Sequence, residues 1–247
     1  MGLKVFPGNV FAQTYGSGPM SVLCLHGWAR DHNDFEKLFS PTEDKFSALV
    51  PDMAGFGSTP APEQVWGTDQ YSCALDPLVD SMQGPIIILG HSFGGRVALD
   101  IATRRPDDVK ALILTGVPLL PSTGTKKAKP SIVYKSVRKL NSIGLIPESV
   151  MQKMREKYGS KDYLAASGIM RQILVKTVNE NYEQKMRQLR CPVELVWGQK
   201  DGAVPIDVAY RAQKIIPDAK VTICEGIGHM TPLYASSQLY QTILKYI

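Results

Sequence analysis

Ser92 lies in the run Gly90-His91-Ser92-Phe93-Gly94-Gly95, between four aliphatic residues, Ile86 to Leu89, and a stretch that repeats Val97, Ala98 and Ile101 at helical spacing. A Gly-x-Ser-x-Gly pattern arises by chance in a chain this long roughly one time in twelve at average glycine and serine usage. The strand-to-helix setting is what makes Ser92 a candidate nucleophile. The chain must turn sharply there, which strains the backbone of the central residue and holds its hydroxyl up, while the flanking glycines leave room for the turn. A serine hydroxyl attacks poorly at neutral pH and needs a base for its proton. Of the four histidines, His26 and His91 fall in or beside buried strands and His32 in a polar loop. His229 follows an apolar run through the flexible Glu225-Gly226-Ile227-Gly228 and is the candidate base. Asp201 follows another such run, in Trp197-Gly198-Gln199-Lys200-Asp201, and is the candidate carboxylate that would fix the tautomer of the base and stabilise its cation. Asp207 is the fallback, although at the start of a helix a carboxylate merely favours the helix dipole.

Negative charge developing on a substrate carbonyl oxygen must meet donors already in place. The N–H of Phe93, directly after the nucleophile, and that of Trp28, in His26-Gly27-Trp28 after an early strand, are the expected oxyanion hole. His26 reads as structural, because backbone groups do this work. Trp28, Phe93 and Met230 are expected to wall the acyl pocket. The glycine-containing loop Asp52 to Ser58 lacks the lysine and spacing of a phosphate-binding loop and reads as a tight turn at the edge of the site. No Cys-x-x-Cys or His/Cys cluster suggests a metal, and the chemistry requires no organic cofactor.

These residues need a scaffold that gathers strand ends. Strand-like runs at Ser21 to Leu25, Phe46 to Val50, Pro85 to Leu89, Val109 to Thr115, Val193 to Trp197 and Lys220 to Cys224 alternate with helical periodicity. The helical stretches are Phe35 to Phe39, Tyr71 to Met82, Phe93 to Arg104, Val208 to Ile216 and Ser236 to Ile247. Such alternation predicts an α/β fold with a mostly parallel sheet covered on both faces, and Leu3 to Phe6 with Val10 to Tyr15 predict an edge hairpin. In an open parallel sheet the loops at the carboxyl ends of the strands share one edge, where Ser92, Asp201 and His229 can meet. From Leu120 to Arg190 the rhythm breaks, and apolar residues recur at helical spacing, as in Val133, Val137 and Leu140, then Ile169, Ile173, Leu174 and Val178. The expected organisation is therefore a core of residues 1–119 and 191–247 with an all-helical cap inserted at 120–190.

Charge divides along the same boundary. Residues 121–190 hold 15 Lys or Arg against 5 Asp or Glu, while the remainder holds 13 against 18. A basic cap on an acidic body is either a solvated helix face or an attractor of an anionic substrate or acidic carrier protein. No recognition motif for nucleic acid accompanies it. No apolar run approaches the ~18 residues of a membrane span, and no secretory signal is evident at the N-terminus. Cys24, Cys73, Cys191 and Cys224 are widely spaced, three of them in apolar runs, which suits reduced packing residues and a cytoplasmic protein.

His26-Gly27-Trp28, Asp52 to Ser58, Gly90 to Gly95, Trp197 to Asp201 with Pro205, and Gly228-His229 together resemble the α/β-hydrolase superfamily nearly from end to end. The resemblance implies an eight-stranded sheet, a helical lid and a serine triad. Serine at position 92 separates the chain from the related haloalkane dehalogenases and epoxide hydrolases, which carry aspartate there. Trp28 and the compact lid resemble the esterase branch that includes pimeloyl carrier-protein methyl ester esterase, whose members dock an acidic carrier on basic lid residues. The expected function is a carboxylesterase acting on a small or medium acyl ester or thioester, anionic or carrier-bound, through an acyl-enzyme. Carbon–carbon bond hydrolysis, peracid formation, aminopeptidase activity or a non-turnover receptor of the same fold are the alternatives. An aminopeptidase is less favoured because the acids of the lid are few: Glu148, Glu156, Asp162, Glu180 and Glu183.

Overall fold

The computed structural model describes residues 3–39, 45–82, 84–121 and 160–247, with 145, 147, 149 and 150 between them. Among these residues eight strands form one sheet: β1 (Lys4–Phe6), β2 (Val10–Gly16), β3 (Met20–Leu25), β4 (Ser47–Pro51), β5 (Ile86–His91), β6 (Val109–Thr115), β7 (Val193–Gly198) and β8 (Ala219–Cys224). Their order is β1-β2-β4-β3-β5-β6-β7-β8. The hairpin β1–β2 joins β4 antiparallel, and all pairings from β4 to β8 are parallel. The strand order reverses at β3, which lies between β4 and β5, so a crevice opens beyond the carboxyl ends of β3 and β5.

The central strands are apolar on both faces because both faces are covered. Leu23, Leu25, Ile86, Ile88, Leu112 and Leu114 face one core layer. Their neighbours Val22, Cys24, Ile87, Leu89, Ala111 and Ile113 face the other, as the two-residue period of a strand requires. The first layer is closed chiefly by the helix Phe93–Arg104, whose described side chains from Phe93 to Ala102 are buried, and the second by Ser236–Leu244. Cys24, Cys191 and Cys224 are buried and Cys73 is exposed, all four with free thiols.

Several helical expectations shift in detail. The single helix expected over Tyr71 to Met82 is two, Thr68–Ala74 and Asp76–Asp80, because Pro77 enters the first turn of the second and cannot continue the hydrogen-bond ladder of the first. The Phe35 to Phe39 segment is a 3-10 helix, His32–Leu38, opened by the Asp31 carboxylate accepting from the Asn33 N–H at 2.9 Å. Between β6 and β7 the described residues include the helices Lys161–Ala165, Gly168–Val178 and Glu183–Gln188, and no strand. The periodicity at Val133, Val137 and Leu140 lies outside the described residues.

The helix Phe93–Arg104 starts so close to β3 that glycine is required at its second residue. A Cβ at Gly94 would overlap the carbonyl oxygens of Leu25 and His26, both backbone atoms with little freedom to yield. Gly94→Ala is therefore expected to destabilise the protein by about 1–3 kcal/mol, read as a lower urea midpoint at unchanged slope.

Candidate active site

Ser92 joins β5 directly to the helix Phe93–Arg104 with φ 50° and ψ −112°, a left-handed conformation that costs a non-glycine residue about 1–3 kcal/mol. The turn is held by neighbours on both sides. Ser92 N–H donates to the Thr115 carbonyl at the end of β6 (3.0 Å), and Gly94 N–H donates to the His26 carbonyl beyond β3 (3.0 Å). The residue is half-buried, while Gly90, two positions earlier, could not carry a Cβ without meeting Gly95 and Ala98.

Asp201 and His229 meet beyond the ends of β7 and β8. The Asp201 carboxylate has no exposed side-chain surface, and its Oδ1 accepts from the N–H groups of Ala203 (2.9 Å) and Val204 (2.8 Å). Oδ2 is thereby reserved for His229 Nδ1, 2.8 Å away. An ionised carboxylate only accepts, so the proton of the neutral imidazole sits on Nδ1 and Nε2 keeps a lone pair able to take one. The His229 ring lies 4.9 Å, centroid to centroid, from that of His91, the residue before Ser92. Asp207 is elsewhere, in the first turn of the helix Asp207–Gln213 and paired with Arg211 at 3.0 Å.

Trp28 and Phe93 follow adjacent parallel strands, with ring centroids 5.3 Å apart in an edge-to-face arrangement. Neither of their backbone N–H groups has a backbone partner among the described residues. Ala29, next to Trp28, also has positive φ, 54°, so the two non-glycine residues of this kind at the β3 and β5 ends flank one crevice. His26 is wholly buried: its Nε2 accepts from the Met53 N–H at 2.9 Å and its Nδ1 donates to the Gly27 carbonyl at 2.7 Å. Those bonds fix a neutral tautomer, and burial lowers its pKa. His26 thus splices the Trp28 loop to the loop after β4. There the buried Asp52 carboxylate accepts from His32 N–H (2.9 Å) and Ser58 N–H (2.8 Å), closing the tight turn that the Asp52 to Ser58 sequence suggested.

Residues 21–235 match the family model described as alpha/beta hydrolase fold. The chain belongs to the α/β hydrolase fold family. Lipase 1 of Psychrobacter immobilis is 23% identical over 237 residues, covering 90% of this chain and 74% of that protein. Lipase LipV of Mycobacterium tuberculosis is 38% identical over a shorter stretch of 110 residues, 43% of this chain and 41% of that one. Among solved structures, the esterase EaEST from Exiguobacterium antarcticum superposes with a TM-score of 0.76 at 20% identity, covering 100% of this chain and 99% of the other.

In this α/β hydrolase a cavity of about 360 Å³ opens beside the crevice, lined among others by Trp28, Arg30, Phe56, Ala165, Ala166 and Met170. Of the expected wall residues, Trp28 lines it. The Phe93 ring lies in the aromatic cluster with Trp28, Phe56 and Tyr71, and the half-buried Met230 beside His229 is not among the lining residues. Met170 and the Ala165-Ala166 pair carried no sequence signal, because they come from another segment folded over Gly55, whose Cβ would collide with the Met170 thioether. Gly116 was missed as well. It follows β6 with φ 59°, and a Cβ there would lie 3.0 Å from the His229 ring and 3.2 Å from Asp201 Oδ2. A glycine directly after a strand was the available clue.

The cations described within residues 160–190 are turned largely to partners in the protein. Lys185 pairs with buried Asp100, and Arg187 lies 2.7 Å from Glu183. Arg171 donates to the Ala166 carbonyl at 2.7 Å and stands over the Tyr163 ring. The basic residues from Lys126 to Lys157 lie outside the described residues. Among the described residues no helix is long and apolar enough to cross a membrane, and no cluster of His, Cys, Asp or Glu could hold a metal.

Proposed function

We propose that this α/β hydrolase cleaves carboxylic esters or thioesters of small or medium acyl groups through an acyl-enzyme on Ser92. The observations that carry the reading are the strained turn at Ser92, whose chain neighbour His91 has its ring 4.9 Å from that of His229, and a His229 Nδ1 held 2.8 Å from a fully buried Asp201 carboxylate. Ser92 Oγ attacks the substrate carbonyl carbon while His229 Nε2 takes its proton. Asp201 stabilises the resulting imidazolium. The Trp28 and Phe93 N–H groups receive the oxyanion, each worth about 2.7–4 kcal/mol in the transition state. Collapse expels the alcohol or thiol with the proton from His229. Water, deprotonated by the same nitrogen, then releases the acid and restores Ser92.

Residues 120–190 serve as the cap, with Met170, Ala165 and Ala166 roofing the acyl or leaving-group pocket over Trp28. The lipases among the sequence relatives support ester hydrolysis. An acidic carrier or anionic substrate would be recognised by basic residues of the cap. A panel of neutral and anionic esters of graded acyl length, assayed at low and high salt, tests both points. Steady turnover of neutral esters is expected, with a limit on acyl length. A preference for anionic esters that fades with salt would assign recognition to the basic segment, whereas a single burst without turnover would sink the esterase reading.

A further inference from the structure

β5 is apolar from Ile86 to Leu89, yet it ends on an imidazole, His91, that is only 1 % exposed. A backbone carbonyl can only accept, so the 3.0 Å contact between His91 Nε2 and the His229 carbonyl oxygen places the His91 proton on Nε2. The same carbonyl accepts from the Thr231 N–H at 2.9 Å, across Met230 at φ −82° and ψ 60°, an inverse γ-turn. Both lone pairs of that oxygen are then engaged. Thr231 is itself pinned by a hydroxyl–hydroxyl bond to Thr115 at the end of β6. The other nitrogen of His91, Nδ1, is buried against Gly27 and has no hydrogen-bond partner among the described residues.

Packing does not account for this arrangement. A buried nitrogen without a partner costs stability, and an aliphatic side chain would complete the apolar strand without that cost. Local rules broken at a cost are characteristic of functional sites. What the imidazole supplies is a donor reaching from the residue beside Ser92 to the backbone of His229.

We infer that His91 is a positioning residue, whose Nε2–H anchors the backbone of His229 while Asp201 holds the far side of the ring. The base is thus fixed at both its root and its Nδ1, and the anchor is carried by the strand that carries the nucleophile. This inference rests on the proposed roles of Ser92 and His229. His229, Asp201 and Arg30 are the charged or titratable groups that act on His91; burial, then His229, pushes its pKa down to about 3, so it remains a neutral donor. A backbone anchor matters because displacing a catalytic group by about 1 Å can lower a rate roughly 100-fold.

His91→Leu and His91→Gln separate anchoring from packing. In His91→Leu, kcat is expected to fall about 10- to 100-fold, with KM within about twofold and Tm equal to or above that of the wild type. His91→Gln, which restores an N–H donor, is expected to recover most of the loss. A kcat for His91→Leu within twofold of wild type would overturn the inference, and so would a glutamine variant as slow as the leucine one. The wild type offers a test independent of folding in the variants: nitrogen NMR of its histidines should show His91 protonated on Nε2, and an Nδ1–H tautomer refutes the anchor. Should the wild type turn over no ester, the proposed function fails. The anchor is then judged on the Nδ1–H resonance of His229, which should be sharp in wild type and broadened in His91→Leu; an unchanged signal overturns it.

Discussion

Ser92→Ala is expected to lower kcat on an activated ester by roughly 10⁴- to 10⁶-fold while leaving the protein folded. The size follows from what the change removes. Without Oγ the proposed acyl-enzyme cannot form, and the activity left would be that of water in a pocket that still offers the proposed Trp28 and Phe93 donors. The fold should survive because no described hydrogen bond depends on the hydroxyl; the turn is held by backbone bonds from Ser92 N–H to Thr115 and from Gly94 N–H to His26. Alanine meets the same strain as serine at φ 50°. A fluorophosphonate probe should label the wild type once, at Ser92, and the variant not at all. Label on another residue, or near-normal turnover by the variant, would move the nucleophile elsewhere.

The second large effect is expected from Asp201→Asn, about 10⁴-fold in kcat. Two backbone N–H groups, of Ala203 and Val204, point at Oδ1, so the amide oxygen of asparagine must take that place. Its NH₂ group then faces His229 Nδ1 where a carboxylate oxygen stood. A donor there obliges Nδ1 to accept, which moves the ring proton to Nε2 and leaves the base unable to receive the proton of Ser92. KM should change little, and nitrogen NMR of His229 should report the exchanged tautomer. A loss below about tenfold, or an unchanged tautomer, would show that Asp201 does not orient the base. Asp207→Asn makes the control: its carboxylate engages Arg211 on its own helix, and little change in kcat is expected.

Much of the scaffold was legible because doubly buried parallel strands are written as continuous aliphatic runs. Val109–Thr115 and Phe93–Arg104 match the bounds expected from periodicity, and the other strands differ at their ends by a residue or two. The helical segments were less legible where a local conformer intervened. Pro77 divides one helix into two, and the Asp31 cap opens a 3-10 helix where an ordinary helical period was read. At the site, strong local chemistry was visible: glycines around Ser92, a flexible approach to His229, and an aspartate just after the Trp197 strand. The groups that were not visible act across the sheet. Met170, Thr115 and His91 carry no local mark of their neighbours, and Gly116 shows only that a glycine follows a strand.

Side-chain type and two-residue periodicity are local properties, so the candidates for the proposed acyl transfer could be read from the chain, each after the carboxyl end of a strand. Which strand ends are neighbours is fixed only by the folded sheet. β6 lies between β5 and β7, so the Gly116 backbone, not a side chain, faces the His229–Asp201 pair. The folded sheet also decides that the imidazole beside Ser92 reaches the His229 carbonyl across 138 residues of chain. Strand order is set by how both faces of the whole sheet are covered at once, and no single segment encodes that.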